Sequence, residues 1–193
     1  MTTPLRKDAA RNWDRIVSVA RVLVDQGTAL QLNDIARRTG LGVATVYRHF
    51  PTPEALLETV ATPCLEALAA DARRALAEPD PWAALAAFLQ RTVEAQTADA
   101  ALPPVAAAPA DALPRTTELK AVLRTAGTAL LDRAHRAGAV RPDLSAADLV
   151  PLVCGIAHAV DVHGGAPADR AATADRYLAA LLTGLRAPAP RAD

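Results

Sequence analysis

"LNDIARRTGLGVATVYRHF", residues 32–50, decides how this chain is read. Leu32, Ile35 and Ala36 fall on one face at helical spacing, and the run stops at Gly40, a residue that takes left-handed backbone without strain. A second short stripe follows at once: Val43, Val46, Tyr47 and Phe50. Two short helices joined by a tight glycine-containing turn read as a helix-turn-helix, here spanning about residues 31–50. In that arrangement the second helix enters the DNA major groove and its first turn meets base edges.

Residues facing away from the second stripe are Val43 or Ala44, Thr45, Arg48 and His49. Ala44 and Thr45 are small enough for close approach, and either can touch a thymine methyl. Arg48 reaches guanine or a phosphate, while Tyr47 and His49 present donors to phosphates at the groove wall. Phe50 is expected to turn inward. By periodicity alone Tyr47 and Phe50 also read as plain core of a small three-helix unit. The pair matters because the chain has only two Trp, two Tyr and two Phe.

Upstream, Trp13, Ile16, Val17, Ala20, Leu23 and Val24 form the inner stripe of a first helix that Gly27 stops. The formal net charge of all 193 residues is zero, but its distribution is uneven. Residues 1–50 carry eight basic side chains (Arg6, Lys7, Arg11, Arg15, Arg21, Arg37, Arg38, Arg48) against four acids (Asp8, Asp14, Asp25, Asp34). A basic head on an acidic body fits a polyanion partner; a surface that merely leans basic is the alternative. The opening "MTTPLRKDAARNWD" lacks the apolar core of a secretory leader, and no charge-free apolar run of membrane-spanning length is present. Cys64 and Cys154, far apart in sequence, read as packed reduced thiols. A cytoplasmic location is expected.

Downstream, Thr52 caps a helix with Pro53 at its first position, and Pro63 should kink it near Ala61. Asp80-Pro81 starts a helix through Trp82, Leu85, Phe88, Leu89 and Val93. Residues 102–114, with four prolines, allow only a short helix or an ordered loop. Thr116 or Thr117 opens a long helix ending at Gly138. Ser145, with Asp148 three residues on, opens the next, which carries Pro151. A last helix covers about 168–186. No strand pattern or repeat appears. The expectation is an all-α chain of about nine helices: a DNA-binding domain over 1–58, a larger helical bundle over 59–187 for ligand binding and dimerisation, and a disordered tail over 188–193.

At this point the residues resemble a family. "LNDIARRTGLGVATVYRHFPTPEALLETV" looks like the TetR-type one-component regulators, whose signature joins a small turn residue, a Thr-hydrophobic-Tyr-x-His-Phe block and the start of the following helix. The likeness covers about residues 12–60. It implies a homodimer of two-domain subunits, a double-stranded DNA operator, and a small effector bound in the C-terminal domain. It carries DNA contacts onto Gln31, Thr45, Tyr47, Arg48 and His49. Two positions depart from the pattern. Gln31 stands where Thr or Ser usually caps the second helix, and Pro53 stands where Lys usually contacts a phosphate; Arg37 or Arg38 is expected to compensate.

In the body, Trp82, Phe88, Thr92, Gln96, Leu119, Leu123 and Leu130 are the expected lining of an effector pocket, although each also reads as core. An alanine-rich body leaves room for an apolar ligand steered by few polar groups. Leu152, Ile156, Val160, Leu178, Leu181 and Leu185 are the expected dimer face, because wide apolar stripes at the chain end need cover. Cys154, His158, Asp161 and His163 do not have the spacing of a compact zinc set, and no metal or cofactor is expected. An enzyme or carrier with a vestigial head would need a nucleophile–base pair, paired carboxylates or a phosphate-cradling loop. None stands out, so no catalytic residues are assigned. A constitutive DNA-binding protein whose body only dimerises remains the other reading. The one favoured is a repressor released from a palindromic operator by a small apolar effector.

Overall fold

A computed structural model describes residues 4–187. The expected tail, 188–193, lies outside the described residues. Those residues form nine helices and no strand beyond a single antiparallel bridge, Val140 with Arg186. They group into two compact units.

The first unit comprises Met1–Pro63 with Asp99–Thr117. It holds α1 (Pro4–Asp25), α2 (Leu32–Thr39), α3 (Val43–His49), the start of α4 (Pro53–Ala77) and the short α6 (Leu102–Ala107). Its core is built from Ile16, Ala20, Leu23, Leu32, Ile35, Val46, Phe50 and Leu56, all nearly or fully buried. Gly40, at φ 64°, ends α2 in left-handed backbone. The N–H groups of Gly40 and Leu41 then bond back to the carbonyls of Arg37 (3.3 Å) and Ala36 (3.1 Å), which turns the chain into α3. Thr52 caps α4 by accepting the Ala55 N–H at 3.2 Å. Trp13 departs from the expected stripe: it is 41% exposed, its ring tilted against Phe50 with centroids 6.2 Å apart. The single core layer of a small head is filled from Ile16 onward, leaving room for only one edge of the indole.

The segment Asp99–Thr117 is tied to this unit at both ends. Arg21 on α1 donates to Asp99 Oδ1 (2.6 Å) and Oδ2 (3.2 Å), and also to the Val60 carbonyl (2.6 Å). Glu58 on α4, 3% exposed, accepts the N–H groups of Ala112 (2.6 Å) and Leu113 (2.8 Å). α4 runs on through Pro63 rather than ending there. Proline has no N–H for the carbonyl four residues back and disturbs the preceding turn, and Arg21 supplies a donor inside that turn. The Asp99 carboxylate holds the Arg21 guanidinium more firmly protonated than usual, against the opposing effect of partial burial.

The second unit comprises Cys64–Ala98 and Glu118–Asp193. It holds the rest of α4, α5 (Pro81–Ala98), most of α7 (Pro114–Arg136), α8 (Ala146–His163) and α9 (Pro167–Leu185). Leu85, Phe88, Leu89, Val93, Leu130, Leu131, Val153, Val160 and Leu178 form its core. A Cβ on Gly127 would stand 3.3 Å from both Phe88 and Leu149, so the missing side chain lets α5, α7 and α8 close together. Asp80 caps α5 by accepting the N–H groups of Trp82 (2.8 Å) and Ala83 (3.0 Å). Ser145 and Asp148 form a reciprocal capping box on α8, and the Ser145 hydroxyl and N–H hold the Asp148 carboxyl below its usual range. α7 begins at Pro114, earlier than the sequence suggests. Proline suits the first helical position, and Thr116 is fully buried rather than acting as the cap. α8 continues through Pro151. By length and composition α8 is apolar enough to cross a membrane, yet only 28% of that span is buried in the chain.

Candidate nucleic-acid interface

On α3, Val46 and Phe50 face the core, which leaves the rest of the helix outward. Val43 is 48% and Tyr47 45% exposed. Ala44 and Arg48 are exposed, and Thr45 and His49 are half-buried. The structure thus splits the two aromatics: Phe50 seals the head and Tyr47 stands in solvent. Phe50 also closes α3, its N–H bonding the Val46 carbonyl at 2.9 Å.

Gln31 occupies the N-cap of α2 in extended backbone but makes no side-chain cap. The first N–H groups of α2 therefore remain open to an external acceptor, the usual way a helix start meets a phosphate. Asp34 in that first turn is engaged by two arginines. It accepts from Arg38 Nε at 2.6 Å and from Arg37. The Arg38 hydrogen bond does most to hold its carboxyl below the usual carboxylate range, against desolvation, and Arg37 adds to the lowering. Arg38, expected to face DNA as a free cation, is thus already paired within the head.

Arg11 is likewise paired with Asp8 at 2.8 Å, and Arg21 with Asp99. Among the described residues of the head, Lys7, Arg15 and Arg48 are the cations that make no ion pair. Arg15 was not legible from the sequence. It sits next to the buried Ile16 on the first stripe, and only the fold brings it to the α2–α3 turn.

In the second unit, Phe88, Gln96, Leu119 and Leu130 are buried, while Trp82 and Leu123 pack half-buried against the core. Thr92 donates its hydroxyl to the Phe88 carbonyl at 2.7 Å. The Gln96 amide donates to Cys154 Sγ at 3.7 Å, and its Oε1 is buried without a partner. Ile156, Val160, Leu178 and Leu185 are buried within the unit itself. Leu152 and Leu181 are half-buried and line two adjoining grooves on α8 and α9, of 630 and 390 Å³. Beside them Val150 and Val162 are 53% and 73% exposed. The His163 ring meets Tyr177 edge-on, with centroids 6.4 Å apart.

This head, an exposed recognition helix on a small three-helix core, is that of a helix-turn-helix DNA-binding protein. Residues 16–60 match the family model described as bacterial regulatory proteins, tetR family, and residues 80–187 match the transcriptional regulator SbtR-like C-terminal domain. The chain belongs to the TetR family of transcriptional regulators. A TetR transcriptional regulator from Streptomyces coelicolor is 34% identical, with 92% of this chain and 99% of that chain covered and a TM-score of 0.56. AibR, solved in complex with isovaleryl coenzyme A and operator DNA, shares the fold at 16% identity, with 92% and 100% covered and a TM-score of 0.67. RolR, solved with the ligand resorcinol, does so at 17% identity, with 93% and 89% covered and a TM-score of 0.59. No curated protein matches the sequence.

The interface yields a first expected result. Tyr47→Ala and Arg48→Ala should weaken DNA binding without altering thermal unfolding, since both side chains stand in solvent. A lost bidentate contact from Arg48 to guanine costs about 1–3 kcal/mol and relaxes preference at one position. Quantitative binding to a set of single-base variants reads this directly; parent-like affinity of Arg48→Ala withdraws its base-reading role.

Proposed function

We propose that the protein represses transcription as a homodimer on a palindromic operator and leaves it when a small, largely apolar effector binds the body. The observation that carries the DNA half is the outward row Val43, Ala44, Tyr47 and Arg48 on a helix anchored by Val46 and Phe50. In this reading residues 1–58 recognise DNA, with Gln31, Thr45 and His49 as further contacts, and 59–187 bind the effector and dimerise.

Three features support the rest. α8 keeps more apolar surface than its own subunit covers, and the grooves beside Leu152 and Leu181 suit helices of a second copy in a four-helix bundle. The buried carbonyl oxygen of Gln96 lacks a donor in an otherwise apolar setting, as expected of a polar group that fixes the orientation of a ligand. AibR and RolR, of the same fold, carry small molecules. Trp82, Phe88, Thr92, Leu119, Leu123 and Leu130 are the remaining proposed lining. The segment Asp99–Thr117, anchored on α1 and α4, is the proposed route of coupling, which for such switches is typically about 1–3 kcal/mol.

The test is a thermal-shift screen of small neutral compounds, resorcinol among them, followed by operator release with each compound that stabilises the protein. Compounds that raise the melting temperature and lower operator affinity are expected. If nothing in the screen stabilises the body, the constitutive DNA-binding reading replaces this one.

A further inference from the structure

We infer that Arg15, on α1 and outside the helix-turn-helix, is a phosphate anchor of the DNA complex. The charges of the head differ in which are free. Arg11 bonds Asp8, Arg21 bonds Asp99 and Asp25, and Arg37 and Arg38 share Asp34. A guanidinium matched one-to-one by a carboxylate, as Arg11 is by Asp8, adds no net charge toward a polyanion, whereas Arg37 and Arg38 together keep one charge beyond that of Asp34. A free guanidinium contributes its full charge and displaces a condensed counterion when it docks.

Arg15 is such a group, and it is well placed. It is exposed, and its terminal nitrogen Nη2 lies 3.7 Å from where a Cβ on Gly40 would stand. Gly40 ends α2 and begins the three-residue turn into Val43, the first residue of α3. The guanidinium of α1 is therefore carried to the turn that launches the recognition helix. When the first turn of that helix sits against base edges, the phosphates of the groove wall pass beside the turn. DNA presents about one negative charge per 1.7 Å of axis there, so a long cation at the turn meets a phosphate without needing a particular sequence. Asp14, next along α1, makes no pair with Arg15, since successive helical positions point about 100° apart. Trp13, two residues before Arg15, tilts onto Phe50 and so places the middle of α1 beside the end of α3.

The inference rests on DNA binding by the head and is independent of effector control. It is tested with the full chain on a duplex recovered by selection from random DNA and on a scrambled duplex of equal length, titrated across a range of salt. Arg15→Gln should lower affinity for both duplexes alike, by about tenfold per head near 0.1 M salt, and reduce the salt slope by about one per head. Arg15→Lys should keep the slope. Thermal unfolding of both variants should match the parent. An unchanged slope in Arg15→Gln overturns the inference. So does a loss of affinity accompanied by a lowered melting temperature and parent-like slope, which makes Arg15 a support for the turn. A shifted preference at one base pair with the slope intact overturns it too, and makes Arg15 a base reader.

Discussion

Phe50→Ala should unfold the DNA-binding head. Phe50 is 3% exposed, closes α3 through its N–H to Val46, and supports one edge of Trp13. Emptying such a site removes its transfer energy and leaves a cavity, about 3–5 kcal/mol for phenylalanine. A head of some fifty residues has little stability to spare. Trp13 gives the measurement: in a Trp82→Phe background its fluorescence reports the head alone. Denaturant unfolding should show the Trp13 transition lost or moved far toward zero denaturant, together with loss of operator binding. A transition within about 1 kcal/mol of the parent contradicts the placement of Phe50 as the seal of this core.

The second large effect is expected at Glu58. Its buried side chain accepts two backbone N–H groups, those of Ala112 and Leu113, across 54 and 55 residues of sequence. Removing it leaves both donors without a partner, and hydrogen bonds to a charged group are worth more than neutral ones. Glu58→Ala should cost about 3 kcal/mol. Glu58→Gln, whose single amide oxygen can replace only part of the pattern, should cost about half that. Amide exchange should quicken at Ala112 and Leu113 in both variants. If the exchange of those two amides is unchanged in Glu58→Ala, they are held by something other than this side chain.

Glu58 also marks where the sequence stopped being legible. The helix count, the stops at Gly27, Gly40 and Gly138, the Thr52 cap, the helix start at Asp80 and the Ser145–Asp148 box were all readable, because each is local chemistry within a few residues. Of the residues expected to face out of α3, Ala44 and Arg48 are exposed while Thr45 and His49 are half-buried, and Val43 and Tyr47, which share the periodicity of the inward Val46 and Phe50, are exposed. Long-range polar pairing left no such trace. Nothing in the spacing of Arg21 and Asp99, or of Glu58 and Ala112, announces that they meet. For the same reason the sequence could not tell that Arg21 is spoken for by Asp99. Arg38, expected with Arg37 as a compensating phosphate contact, also pairs with Asp34 four residues before it, a spacing the sequence does show. Arg15 looked unremarkable until the turn at Gly40 folded beside it. The expected dimer face shows the related limit of apolar stripes. Val160 and Leu178 carry the same periodicity as Leu152 and Leu181, yet the first two fill the subunit's own core and the latter two border the open grooves.

The central claim is that two copies of this head read a two-fold symmetric site. Selection of duplexes bound by the full chain from a random pool tests it most directly. The account predicts an enriched palindrome whose half-site centres lie about one helical turn apart or a little more, 34–36 Å in the simplest case, with affinity falling steeply as salt rises. Enrichment of asymmetric sites only, or of no sequence at all, would contradict it.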